Sequence, residues 1–461
     1  MVTHENFKAE AGSILDWIDR YFNRLRELPV KSNSKPGEVY QKIPPQAPLQ
    51  GEDMETILHD LDSVIIPGIT HWQHPSFHAY FPANSSYESL LGEMVTAAIG
   101  AQCMVWETSP AAAELEQRMT EWMADAIGLP KEFCGVIQDS ASSATLVAII
   151  TARERSTKFM SNLKGVPCGL RVYCSSEAHS SIEKGVGVAG IGRNNLVKIG
   201  VDSEQRMIPS ELEKTICKDI TAGLTPICVV AAIGTTGTLG IDPLLEIAAI
   251  CAKYNVWLHV DAAYAGSALV LPEYRHLFNG IEGVDSLVFN PHKWMFVNFD
   301  CSLYYVKDPD LLVRTFDILP EYLKTATRGQ VNDYRDWGIP LGRRFRALKL
   351  WFVLRGFGLE GIRQKIKDQI ALNEYFAKEI SKSGRFLLLK APFLGFTIFR
   401  INSEDDLVSE KLLADVNASG DAYLSHTKIN GHYAIRFHST QTYIQKADVD
   451  KTIATLFRFL P

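Results

Sequence analysis

No export or membrane signal stands out in this chain. Met1 to Ala11 is polar and charged, so no signal peptide is expected. No uninterrupted apolar run reaches membrane-spanning length; the stretch Ile227 to Ile233 stops at Gly234 and reads as a buried strand. The eight cysteines include no Cys-x-x-Cys pair. Cys174, Cys228 and Cys251 sit in apolar runs as small core residues, so reduced thiols in a cytosolic protein are expected. Basic excess is also missing: a net charge of −6 argues against a nucleic-acid partner. His71, His74 and His78 form the one metal-like cluster. Pro75 interrupts the helix that would align them and no cysteine or carboxylate lies close by, so no metal is expected. Internal repeats and low-complexity tracts are absent. What remains is 46% hydrophobic and 22% charged over 461 residues, an ordinary globular composition with an ample core.

Against that background one stretch is distinctive: Phe289-Asn290-Pro291-His292-Lys293-Trp294, straight after the apolar Ser286-Leu287-Val288. It places a lysine at a strand end, on a turn fixed by proline, beside aromatic surface. Desolvation lowers an amine's pKa, and a neutral amine condenses with a carbonyl. Alone, Lys293 also reads as a surface lysine. Upstream, the strand Val256 to Val260 runs into Asp261 and then the small residues Ala262 and Ala263, against which a flat ring fits. A carboxylate there can hold a proton on a heteroaromatic nitrogen, or simply cap a helix. Gly135 to Thr145 supplies small hydroxyl residues leading into a helical run. This is a phosphate cradle or a plain N-cap. His179, after the strand Leu170 to Cys174, can stack on the opposite ring face or be structural. Lysine and aspartate at two strand ends are what a pyridoxal phosphate site needs: a Schiff-base amine and a partner for the pyridinium nitrogen.

These segments resemble the aromatic-L-amino-acid decarboxylases, the group II pyridoxal phosphate decarboxylases. The matches run from His71-Trp72-Gln73-His74-Pro75 to about Gly361. They include Val260-Asp261-Ala262-Ala263-Tyr264-Ala265-Gly266, Asn290-Pro291-His292-Lys293-Trp294 and Pro340-Leu341-Gly342-Arg343-Arg344-Phe345-Arg346. The resemblance implies an aminotransferase-like α/β fold (fold type I) with pyridoxal 5'-phosphate as cofactor and an aromatic L-amino acid as substrate. It also implies a homodimer with composite sites, and no nucleic-acid or membrane partner. Lys293 would carry the cofactor and Asp261 would keep its ring nitrogen protonated. Ser140, Ala141, Ser142, Asn290 and His292 would serve the phosphate region. His179 would stack on the ring and orient the substrate carboxylate, with Thr236, His259 and Ala263 close to the ring. Tyr322, on a polar lid that continues through Thr325 to Asn332, would deliver a proton to the α-carbon. Trp72, Tyr80, Phe81, Pro82, Gln102, Met104 and Gly342 match the substrate pocket. Gly342 leaves room for an indole beside phenols. Ala83, Gln102 and Met104 depart from the animal pattern. Aldehyde synthases of the same family replace the lid tyrosine or the stacking histidine, and Tyr322 and His179 argue against that rival, while intact Lys293, Asp261 and His179 argue against a catalytically dead relative.

Three segments are expected along the chain. Residues 1–85 form a helical segment, with helices over Phe7 to Leu28 and Met54 to Ile65; the resemblance implies that it clasps a partner subunit, and a monomeric helical cap is the alternative. Residues 86–347 form the large cofactor-binding domain, whose strands Val136-Ile137, Arg171 to Cys174, Ile227 to Ile233, Val256 to Val260, Ser286 to Phe289 and Ser302 to Val306 alternate with helices into a mostly parallel sheet. Residues 348–461 form a small α+β domain with strands Phe386 to Leu389, Phe396 to Ile401 and Tyr433 to Phe437.

Overall fold

The computed structural model describes residues 6–318 and 329–461. It divides into two compact units, Ala83–Ile370, and Met1–Pro82 together with Ala371–Pro461. The larger unit is built on a seven-stranded sheet: β1 (Cys134–Gln138), β2 (Leu170–Ser175), β3 (Leu196–Ile199), β4 (Thr225–Ala232), β5 (Trp257–Asp261), β6 (Ser286–Phe289) and β7 (Ser302–Val306). Their spatial order is β1-β7-β6-β5-β4-β2-β3. β6, β5, β4, β2 and β3 pair in parallel, while β7 runs antiparallel to both β6 and β1. The expected mostly parallel sheet is therefore present. Strands covered on both faces read as near-continuous apolar runs, which is why β4, β5 and β6 were legible. All four residues of β6 are buried. Covering Leu287, Val288 and Phe289 stabilises the unit by roughly 1.5–3 kcal/mol each. β3 lies outside the expected strands. It is four residues long, stands at the sheet edge, and buries only Ile199.

The smaller unit holds a four-stranded antiparallel sheet of β8 (Phe386–Leu388), β9 (Phe396–Ile401), β10 (Ser425–Ile429) and β11 (His432–His438), in the order β10-β11-β9-β8. Its core stacks Phe376 on Phe437, with ring centroids 3.6 Å apart. The N-terminal segment packs on this sheet. Phe77 bridges to Tyr423, Arg26 grips Asp448 through Nε and Nη2 at 3.0 and 3.2 Å, and the buried His78 ring sits between the His438 carbonyl and Thr452. The units are thus drawn differently from the three expected segments. Residues 1–82 join 371–461, and the helix Arg346–Lys382 continues the larger unit past residue 347, with a kink at Gly358, whose φ of 67° glycine tolerates. Among the described residues no helix is long and apolar enough to cross a membrane, and no group of His, Cys, Asp or Glu is placed to hold a metal.

Candidate active site

Five segments of the larger unit reach one edge of its sheet. Ser140 follows β1, His179 follows β2, Thr236 lies in the turn after β4, Asp261 closes β5, and Asn290 to Lys293 follow β6. All these strands run one way, because β1 and β6 are each antiparallel to β7. The five segments therefore gather at carboxyl ends, where open α/β sheets bind ligands.

The aspartate and lysine segments are locked together by their own motif residues. Asn290 N–H donates to the Ala263 carbonyl at 3.0 Å, and Ala262 N–H donates to Val288 at 2.9 Å. Tyr264 and Trp294 stack 4.8 Å apart and nearly parallel, and the Trp294 indole donates to Gln369 at 2.7 Å. Gly266 is buried against Phe289, and a Cβ added there would stand 2.4 Å from the Phe289 Cβ. Close approach, rather than conformation, is why glycine ends this motif. Asp261 is half-buried, and Ala263 N–H donates to its Oδ1 at 3.0 Å. Lys293 is also half-buried. A residue the sequence did not flag holds its backbone. Asn84, fully buried, donates from Nδ2 to the Lys293 carbonyl at 2.7 Å and from its amide to the His292 carbonyl at 2.9 Å. Its only sequence signal is its place just after Phe81-Pro82.

An anion cradle forms at the start of the helix Ala141–Ser156. Ser140 caps it by accepting from Ser143 N–H at 3.2 Å, and Ala144 N–H donates to the Ser140 carbonyl. Among the described residues the Ala141 and Ser142 amides have no hydrogen-bond partner. Two donors at the positive end of a helix dipole thus suit a phosphate. Asn290 Oδ1 is a buried acceptor with no partner, a further sign of a site shaped for a bound group. The residues present fit pyridoxal phosphate: amides for its phosphate, Asp261 for its ring nitrogen, the Lys293 amine for its aldehyde carbon.

Three histidines are held neutral by their surroundings. Burial pushes His292 down to about 3, with the Lys293 charge adding to the effect, and burial pushes His259 down to about 4. Cys301 N–H donates to His292 Nδ1 at 3.0 Å, so the ring proton sits on Nε2, ready to donate. His179 is lowered first by loss of water around its ring, although solvent reaches part of it. The Lys293 charge lowers it further and Asp261 opposes. His179, Lys293 and Asp261 therefore lie within electrostatic reach of one another. Ser181 N–H donates to His179 Nδ1 at 3.2 Å, which leaves Nε2–H free to face a carboxylate.

The remaining expected residues fall into two groups. Gln102 and Gly342 meet beside Arg343 in the larger unit, and Met104 pairs with a neighbouring segment. Arg343 N–H donates to Gln102 Oε1 at 2.7 Å, and a Cβ on Gly342 would meet Gln102 Nε2 at 3.2 Å. Met104 accepts from Arg335 N–H. No hydrogen bond among the described residues joins this group to Asp261 or His179. Trp72, Tyr80, Phe81 and Pro82 belong to the smaller unit, where Trp72 and Tyr80 stack 5.8 Å apart and stay exposed while Phe81 and Pro82 are buried. Tyr322 lies outside the described residues.

Known proteins resemble this chain in sequence and in fold. The pyridoxal-dependent decarboxylase conserved domain matches residues 36–402. The aromatic-L-amino-acid decarboxylase of Manduca sexta is 39% identical, over 96% of this chain and 89% of that protein. The phenylacetaldehyde synthase of Arabidopsis thaliana is also 39% identical, over 94% of this chain and 91% of that protein. A crystal structure of Oryza sativa TDC with PLP and tryptamine superimposes with a TM-score of 0.96 at 30% identity, covering 100% of this chain and 99% of that one.

Proposed function

The chain belongs to the pyridoxal-dependent decarboxylase family, and from that premise we propose that it converts an aromatic L-amino acid into the aromatic amine and carbon dioxide. Its fold is the aminotransferase-like α/β fold of that family, and its cofactor is pyridoxal 5'-phosphate. The observation that carries the proposal is the meeting of Lys293, Asp261 and His179 at the carboxyl edge of the sheet, beside the free amides of Ala141 and Ser142.

When bound, the cofactor supplies an electron sink for the bond broken at the α-carbon. The protein's task is to choose which bond that is. Lys293 would hold the cofactor through its amine. Asp261 keeps a proton on the ring nitrogen, and Ala263 leaves room for the ring face. Ala141, Ser142 and His292 would hold the phosphate by N–H donation. His179 would direct its Nε2–H at the substrate carboxylate and so orient the group that is lost as carbon dioxide. Tyr322 then gives a proton to the α-carbon. The family resemblance assigns Trp72, Tyr80, Phe81, Pro82, Gln102, Met104 and Gly342 to recognition of the aromatic side chain.

The working assembly is a homodimer. Two apolar faces that one copy of the chain covers only in part support this reading. The helix Phe7–Arg24 buries none of its residues despite its apolar stripe. The helix Tyr87–Ile99 buries Ser89, Gly92 and Thr96 while Leu91, Val95 and Ile99 stay exposed. A second copy covers such surface and brings Gln102 and Gly342 to a neighbouring site.

The test is a panel of DOPA, 5-hydroxytryptophan, tryptophan, tyrosine and phenylalanine, with amine, aldehyde and carbon dioxide measured together. Amine matching carbon dioxide from at least one of them is expected. Aldehyde with peroxide in place of amine identifies an aldehyde synthase, and no carbon dioxide from any of the five refutes the proposal.

A further inference from the structure

The helix Ala141–Ser156 and β5 carry opposite ends of the candidate cofactor site: free amides at the helix start, Asp261 at the strand end. Beneath the site they are joined by a hydrogen-bond chain that the chemistry above leaves unused. Thr145 Oγ1 lies 3.2 Å from His259 Nε2, and His259 Nδ1 lies 2.9 Å from Ser286 Oγ. The Trp257 indole N–H donates to that same oxygen at 3.0 Å. All four side chains are buried. His259 and Ser286 are partners in the β5–β6 register, and Trp257, His259 and Asp261 share one face of β5 by strand alternation. At its other end the helix is tied to the same strands. Arg155 donates to Asp285 at 3.2 Å and covers the Trp257 ring at 5.3 Å. Plain packing would not call for these groups, since polar atoms in a core are costly unless each finds a partner. Here they do, and the ties at both ends fix the helix along β5.

We propose that Thr145, His259 and Ser286 are positioning residues that set the separation between the Ala141–Ser142 amides and the Asp261 carboxylate. The chain thereby holds the cofactor at its phosphate and its ring nitrogen together. This rests on the site assignment made above. Trp257 N–H is a donor only, so it occupies one lone pair of Ser286 Oγ. Whichever ring nitrogen of His259 carries the proton, the imidazole bridges the Ser286 and Thr145 hydroxyls, one nitrogen to each. His259, neutral and immobile, acts as a strut between helix and strand.

Thr145→Val keeps the side-chain shape and removes the hydroxyl, Thr145→Ser restores it, and Ser286→Ala removes the shared oxygen. The holoenzyme is followed for the rate of cofactor release on dilution, read from visible absorbance, and for visible circular dichroism per bound cofactor. Release about tenfold faster in Thr145→Val and Ser286→Ala is expected, the factor one hydrogen bond corresponds to. Altered dichroism accompanies it, and Thr145→Ser stays close to wild type. If Ser286→Ala does not fold, the two Thr145 variants decide. Wild-type release with unaltered dichroism in Thr145→Val, even with a lower melting temperature, means packing alone and overturns the inference. A wild-type protein that takes up no cofactor overturns the site assignment and this inference with it.

Discussion

The buried pair Glu116–Arg343 is the most exposed point of this architecture to a single substitution. Arg343 Nη2 donates to Glu116 Oε1 at 2.6 Å and Nη1 to Oε2 at 3.1 Å, with both side chains buried. Further hydrogen bonds hold both side chains in place. Ile137 N–H donates to Glu116 Oε1 at 2.8 Å, and Arg343 reaches the carbonyls of Ile137 and Cys103. Glu116→Gln keeps the volume but removes the negative charge. One of the two arginine donors then faces an amide N–H₂, and a guanidinium is left buried without its counter-charge. Breaking one side of such a pair costs about 3–5 kcal/mol, which for a unit of this size lowers the melting temperature by roughly 5–8 °C. The double variant Glu116→Leu/Arg343→Met removes both charges and is expected to melt above Glu116→Gln. Thermal unfolding of the cofactor-loaded proteins, arranged as a double-mutant cycle with the two single variants, reads the coupling. A Glu116→Gln protein that melts within about 2 °C of wild type, or losses in the two single variants that simply add, would refute the reasoning.

Other substitutions probe the site more locally. Tyr322→Phe should still release carbon dioxide while product moves from amine to aldehyde, ammonia and peroxide with oxygen uptake; amine formed at the wild-type rate without peroxide removes Tyr322 as the proton donor. Gly266→Ala drives a methyl group into Phe289, and should cost about 1–3 kcal/mol and weaken cofactor retention; unchanged melting and retention would contradict the close-approach argument. The buried histidines predict acid sensitivity. His78 and His292 are lowered to about 3 and His259 to about 4, so the folded protein resists protons that the unfolded chain accepts below the ordinary histidine value of 6.5. Their contribution to stability is complete above pH 6.5 and is lost as pH falls towards 4, by about 1.4 kcal/mol per pH unit for each. Melting temperatures recorded from pH 7 to 5 should fall, and a flat profile counts against the neutral assignments.

Sequence reading was most successful where one physical demand dominated. β5 and β6 are buried on both faces, so their apolar runs end abruptly at Asp261 and Asn290, and those breaks mark the sheet edge. Edge strands carry less signal. β3 and β10 lie at the sheet margins and expose much of their surface, and β10 reads Ser-His-Thr-Lys-Ile, so neither stands out from a loop. Asn84 is one polar residue whose partners, the carbonyls of His292 and Lys293, lie far along the chain, and no local pattern announces such a contact. The packing of residues 1–82 with 371–461 is equally non-local. It rests on Arg26 with Asp448 and His78 with Thr452, pairs that spacing alone cannot connect.

The most direct test of the account asks which lysine carries the cofactor. The purified protein is loaded with pyridoxal 5'-phosphate, reduced with borohydride, digested, and the modified peptide sequenced by mass spectrometry. The expected adduct lies on Lys293, and Lys293→Ala should lose both the visible absorbance and repeated turnover. An adduct on any other lysine, or a Lys293→Ala protein that still turns over, would contradict the assignment of the active site.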